Sequence, residues 1–130
     1  RAADPFRVRD LEAADIAILK VQPLGGVRAC LRIAEQIGMP VAVSSAVETS
    51  IGLAASVALA AALPELPYAC GIGTAHLLTA DVVAAPLKPV GGCLEVSRPE
   101  LDEAAFAKVA APAEVDERWH ARLEHVRESL

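Results

Sequence analysis

Short apolar runs, each ending in a polar tip and passing into an apolar helical stretch, set the strongest limit on what this chain can fold into. The first, Ile16-Ala17-Ile18-Leu19-Lys20-Val21, is broken by Pro23, Gly25 and Gly26 before a helix-type segment. The second, Val41-Ala42-Val43, passes through polar residues 44–50 into an apolar stretch over about residues 51–62, closed by Pro64. A third begins at Tyr68-Ala69-Cys70, turns through Gly71-Ile72-Gly73-Thr74 and predicts a short helical piece over about 77–83. Strand, loop and helix thus alternate every ~25–30 residues, the period of βα units in a parallel sheet or barrel. The expected class is α/β.

Local patterns fill in the elements. Residues 8–14 read as the tail of a helix, and residues 15–21 as a strand buried on both faces except at its end. In the next helix Val27, Cys30, Leu31 and Ala34 recur at three- and four-residue spacing, with Arg28, Arg32 and Glu35 outward, and Gly38 and Pro40 stop it. The apolar content of 54% with 3% aromatics suits parallel strands covered by Ala-rich helices. After Pro86 the repeat ends. Pro89, Gly91 and Gly92 frame an extended piece at 93–96, residues 100–109 suit a short helix, and 114–130 read as a charged terminal helix with Val115, Trp119, Leu123 and Val126 on one side. The expected organisation is a partial barrel over 1–90 and a C-terminal extension over 91–130.

Charge excludes one class of partner. A net charge of -5 and a pI near 5.1 leave no basic stripe to neutralise phosphates, so no nucleic-acid partner is expected. Cys30, Cys70 and Cys93 are odd in number and widely spaced, and read as reduced core thiols. Residues 1–5 lack a basic segment followed by an apolar run, so no signal peptide is expected. The apolar stretch 51–63 is shorter than the ~20 residues that span a bilayer and reads as a buried helix. A cytoplasmic enzyme with no membrane partner is the expectation.

In a parallel α/β assembly the chemistry stands at the C-terminal ends of strands and in the loops after them. Here those positions hold Lys20, Gln22, Ser44, Ser45, Glu48, Thr49, Gly71, Gly73 and Thr74. At the end of an apolar strand, Lys20 is either a base or cationic stabiliser, or a side chain that reaches past the sheet into water. Ser44, Ser45, Glu48 and Thr49 precede a helix, so their loop either receives a carboxylate or phosphate on hydroxyls and amides, or caps the helix through Ser45 or Ser50. Gly71-Ile72-Gly73-Thr74 allows close backbone approach but lacks dinucleotide-loop spacing. His76 reads as a surface or supporting residue, and His120 and His125, five apart on a helix, do not form a metal pair.

Asp15-Ile16-Ala17-Ile18-Leu19-Lys20-Val21-Gln22-Pro23-Leu24-Gly25-Gly26 resembles the sixth-strand motif of the enolase superfamily, a strand-end lysine followed by a small-residue loop. Val41-Ala42-Val43-Ser44-Ser45-Ala46-Val47-Glu48-Thr49-Ser50-Ile51-Gly52-Leu53 resembles the seventh-strand motif of the o-succinylbenzoate synthase family, particularly its actinobacterial members. Leu66-Pro67-Tyr68-Ala69-Cys70-Gly71-Ile72-Gly73-Thr74 is similar to the eighth strand and its loop.

The resemblance implies the C-terminal part of a modified TIM barrel, about three βα units, followed by a segment that packs towards a capping domain. It implies a metal-dependent syn-dehydration of 2-succinyl-6-hydroxy-2,4-cyclohexadiene-1-carboxylate to 2-succinylbenzoate, a step of menaquinone biosynthesis. Lys20 would stabilise the enediolate, while Ser44, Ser45, Gly71, Gly73 and Thr74 would receive the substrate's succinyl carboxylate. The partner lysine and the carboxylates for a divalent metal, Mg²⁺ by resemblance, are expected upstream of Arg1, so the chain would hold no metal ligand and be inactive alone. Its partners would be a small-molecule carboxylate and the remainder of the barrel with its capping domain. The alternatives are an N-succinylamino acid racemase or dipeptide epimerase of the same superfamily, and a non-catalytic α/β module that binds an acidic metabolite.

Overall fold

Parallel pairing requires a crossover, and the helix-type segment between the first two apolar runs supplies one. In a computed structural model, which describes residues 4–129, β1 (Ala17–Leu19) and β2 (Val41–Val43) pair in parallel with Ala17 opposite Val41, Ile18 opposite Ala42 and Leu19 opposite Val43. Between them runs α2 (Val27–Ile37), preceded by α1 (Pro5–Asp10), and β2 leads into α3 (Ser50–Ala62).

Several expected boundaries shift. The helix expected to end near residue 14 is α1, which ends at Asp10. Its start is set by Asp4, whose carboxylate accepts from the Phe6 amide at 2.9 Å, with Pro5 in the first turn. Its end is a reversal with Glu12 left-handed (φ 49°), where Ala13 N donates to Val8 O and Glu12 N to Arg9 O. The strand expected over 15–21 pairs only over its three central residues. The third run forms no continuous strand. It joins the sheet through a single parallel bridge, Ser44 with Gly71, three residues past Tyr68. The helix expected over 77–83 is replaced by a 3-10 turn at Thr74–Leu77.

Side-chain alternation splits the sheet into two unlike faces. Leu19 and Val21 are 3% and 4% exposed and join Cys30, Ile37, Val43, Leu53, Val57 and Leu59 in the core under α2 and α3. Ile18, one residue over, is 65% exposed. Burial of the first run on both faces therefore fails at Ile18, although its partner Ala42 on β2 is buried. In α2, Arg28, Arg32 and Glu35 are exposed, and Gly38 closes the helix in the left-handed region at φ 69°.

Beyond the sheet, Gly91 (φ 57°) and Gly92 (φ 81°) turn the chain so that Val90 and Cys93 exchange backbone hydrogen bonds of 2.8 and 3.0 Å, and the piece expected at 93–96 pairs only through Cys93. α4 (Glu103–Val109) starts one turn into the expected helix because Asp102 caps the Ala105 amide at 3.0 Å. α5 (Ala113–Glu128) matches the terminal helix up to residue 128, and residue 130 lies outside the described residues. Trp119, Leu123 and Val126 on its apolar side stand exposed. Cys30 is buried, Cys70 half-buried and Cys93 exposed, so all three are free thiols but not all core thiols.

The start of α3 is held from 31 residues away. Asp81 accepts from Ser50 N at 3.1 and 3.2 Å and from Ser50 Oγ at 2.6 Å, while Ser50 Oγ accepts from Leu87 N at 2.7 Å. Thr49, at the cap position, makes no side-chain cap bond. Capping by Ser45 or Ser50 is thus replaced by Asp81, whose negative charge suits a helix N-terminus.

Replacing fully buried Ser50 by Ala strands the Leu87 amide. A loss of about 1–3 kcal/mol is expected, read as a lower denaturant midpoint at unchanged slope. Burial pushes the Cys30 thiol above its ordinary 9.0. Because the folded value is the higher one, its contribution to stability is present below pH ~9 and fades as pH rises through the folded value. Alkylation at pH 8.5 should therefore modify Cys93 in the native protein and reach Cys30 only on unfolding.

Candidate functional site

Lys20 follows β1 as Ser44 follows β2, and the register that sets Leu19 beside Val43 brings the two residues together. Ser44 N extends the ladder by donating to Leu19 O at 2.9 Å. Lys20, two residues past Ile18, lies on the uncovered face by alternation. Its Nζ donates to Ser44 Oγ at 2.9 Å and to the Ser45 main-chain carbonyl. The ammonium is therefore held by the neighbouring strand end, which removes the reading of a lysine reaching freely into water.

The third run closes the group through its bridge at Gly71. Ser45 N donates to Gly71 O at 3.0 Å, and Gly71 N donates to Val43 O at 2.9 Å. A side chain at position 71 would stand 3.2 Å from Ser44 Oγ, so glycine serves close approach of two strand ends. Ser45 Oγ lies 3.2 Å from Gly71 O and 3.0 Å from Thr74 Oγ1, and Thr74 Oγ1 donates to Ala46 O at 2.7 Å. Ser45 is 3% exposed, so it forms part of the wall. Gly73 precedes the 3-10 turn, and its Cα faces the His76 ring, with Cε1 3.3 Å from where a Cβ would stand. Lys20, Ser44, Ser45, Gly71 and Thr74 thus join one hydrogen-bonded cluster at the C-terminal ends of β1 and β2 and the bridge at Gly71.

A second layer sits beside it. Glu48 Oε1 accepts from Ala46 N at 2.7 Å, Glu48 Oε2 accepts from Gln22 Nε2 at 2.8 Å, and Gln22 Nε2 also reaches Gly52 O at 3.2 Å. Thr49 stands at the helix cap position outside this cluster. Asp81 was not among the expected residues. It lies within the short helical piece expected over 77–83, and its partner Ser50 is 31 residues away in sequence, so no local signal marks the contact.

Electrostatically the cluster is one ammonium among hydroxyl and carbonyl oxygens. Among the described residues no three of His, Cys, Asp and Glu gather to hold a metal ion. Both oxygens of Glu48 are engaged, and Lys20 would repel a cation, so these residues do not fit a metal cradle. What they can do is hold positive charge rigidly where an oxyanion develops, with solvent excluded only when the open face is covered. His76 is exposed, and His120 Nδ1 lies 3.0 Å from the main-chain oxygen of Asp116 on α5. No helix among the described residues is long and apolar enough to cross a membrane.

This arrangement has known relatives. An o-succinylbenzoate synthase from Thermobifida fusca is 63% identical over 128 residues, 98% of this chain and 39% of the relative. One from Mycolicibacterium smegmatis is 50% identical over 95% of this chain and 38% of its own length. The chain therefore spans about two fifths of the length of these relatives. Among solved structures, muconate lactonizing enzyme from Pseudomonas putida superposes with a TM-score of 0.71 at 30% identity, over 80% of this chain and 31% of that one. Muconate cycloisomerase from Pseudomonas fluorescens gives 0.72 at 32% identity, over 79% and 31%. The α/β architecture with parallel strands is that of the enolase-superfamily barrel domain, and the enolase C-terminal domain-like family matches residues 2–100: the chain belongs to that family.

Proposed function

We propose that the complete protein to which this chain belongs is an o-succinylbenzoate synthase, and that this chain supplies the Lys20 side of its active site. The observation that carries the reading is the ammonium of Lys20, clasped by Ser44 and Ser45 at adjoining strand ends, in a chain 63% identical to a synthase of that name. The reaction is syn-elimination of water from 2-succinyl-6-hydroxy-2,4-cyclohexadiene-1-carboxylate to give 2-succinylbenzoate, which places the enzyme in menaquinone biosynthesis in the cytoplasm. A base outside this chain removes the proton next to the substrate carboxylate, and Lys20 meets the negative charge that develops on the carboxylate oxygens.

Enolase-superfamily enzymes use a divalent metal. In this reading it would be Mg²⁺, held by carboxylates outside this chain, and would supply positive charge to the substrate carboxylate. The residues here do the rest. Ser44 holds Lys20 Nζ, and the loop of Gly71, Gly73 and Thr74, backed by Ser45, receives the succinyl carboxylate. Residues 1–90 are the partial barrel, 91–130 are the extension towards the capping domain, and the remainder of the barrel is the partner that covers the open sheet face.

Lys20→Ala in the complete protein should lower turnover by about 10²–10³-fold or more, the scale of losing an electrostatic stabiliser, while calorimetry shows metal binding intact. Near-wild-type turnover in that variant would defeat the assignment. Lys20→Arg should rescue little, because a planar guanidinium does not reproduce a compact ammonium. The 130-residue chain alone should show no dehydration of the cyclohexadiene substrate. Turnover of N-succinyl amino acids in its place by the complete protein would replace this reading with the racemase one.

A further inference from the structure

Lys20 and Glu48 contact opposite ends of one peptide unit. The Ser45 carbonyl accepts from Lys20 Nζ, and the N–H of the same unit, carried by Ala46, donates to Glu48 Oε1 at 2.7 Å. A trans peptide is planar with its C=O and N–H pointing in opposite directions. A carboxylate on the N–H and an ammonium on the oxygen therefore lie head to tail along its dipole of about 3.5 D. Bonds in such a chain polarise one another, so the carboxylate strengthens the bond that the carbonyl accepts.

No direct ion pair competes with this path. Among the described residues the ion pairs are Arg9 with Asp10 and His120 with Asp116, and Lys20 has neither Asp nor Glu in contact. Glu48 is itself held in place. Gln22, from the loop after β1, donates to its Oε2 at 2.8 Å. Gly52 leaves it room: a Cβ there would stand 3.0 Å from Glu48 Cβ and 3.3 Å from Oε2.

We infer that Glu48 is a positioning residue for Lys20. Its carboxylate sets the direction and acceptor strength of the Ser45 carbonyl, and that carbonyl with the Ser44 hydroxyl holds the ammonium where negative charge develops. The inference rests on the proposed role of Lys20 and adds the anion that balances it across a peptide. A hydrogen bond that merely shapes the turn would need the oxygen of Glu48 but not its charge, and this difference is measurable.

Glu48→Gln keeps side-chain length and a carbonyl oxygen for the Ala46 amide, and removes the charge. In the complete protein it should lower kcat about tenfold with KM within about twofold, the pattern of an interaction felt mainly in the transition state. The thermal midpoint should stay near that of the wild type. Gly52→Ala favours the helix but drives a methyl group against Glu48, and should lower kcat comparably without removing any polar atom. If both variants fold and keep wild-type kcat while Lys20→Ala is inactive, the inference is overturned and the role of Lys20 stands. If Lys20→Ala keeps its turnover, the role of Lys20 falls and the inference with it. A fall in kcat seen only together with a lowered thermal midpoint overturns the inference too, and should Glu48→Gln not fold, Gly52→Ala decides alone.

Discussion

The parallel register between β1 and β2 determines where the other groups stand. It begins with Ala17 N on Pro40 O, passes through Leu19 beside Val43, and continues past the strands with Ser44 N on Leu19 O. The third run takes up the same ladder when Gly71 N donates to Val43 O. Each strand end is thereby aligned with the next. A slip of one residue would turn Lys20 towards α2 and α3 and Leu19 to the open face, burying a charge and exposing a core side chain. The buried face, where Leu19, Val43 and Leu53 meet, opposes that slip through its apolar area.

Around the strand ends polar groups satisfy one another. The hydroxyls of Ser45 and Thr74, the carbonyls of Gly71 and Ala46 and the carboxylate of Glu48 link the loop after β2 to the segment after Gly71. A linked network of this kind leaves the side chains little freedom, which is what a site needs if its charge is to meet a transition state without rearranging. Ser50 and Asp81 do the same work for the helix that follows, and fasten the segment around Leu87 to the barrel-type part.

The surfaces left open have a common explanation in the proposed reading. Ile18 on the exposed sheet face, the groove of about 560 Å³ between α1 and the free edge of β1, and the bare apolar side of α5 are apolar areas that an isolated two-stranded sheet cannot cover. A closed barrel pairs such an edge and fills such a face. With this chain matching about two fifths of its synthase relatives, the remaining strands and the capping domain are the proposed cover.

The amphipathic spacing of α2, the glycine stop at Gly38, the apolar α3 and the placement of Lys20, Ser44, Ser45, Gly71 and Thr74 at strand ends were legible in the residues, because each depends on neighbours within a few positions. The sequence motifs also carried the family. Other features depended on partners far along the chain. Tyr68-Ala69-Cys70 has strand-type residues, yet only Gly71 reaches the ladder, because pairing requires a neighbour at the right height. The cap of α3 came from Asp81 rather than from a nearby serine, and Cys93 stayed exposed in an apolar context. By itself the sequence determined the α/β alternation, the helical faces and the residue types at the strand ends. Only tertiary structure decided that Lys20 is clasped by Ser44 and Ser45 and faces Glu48 across one peptide, because those contacts are set by strand register and loop closure, which local composition does not encode.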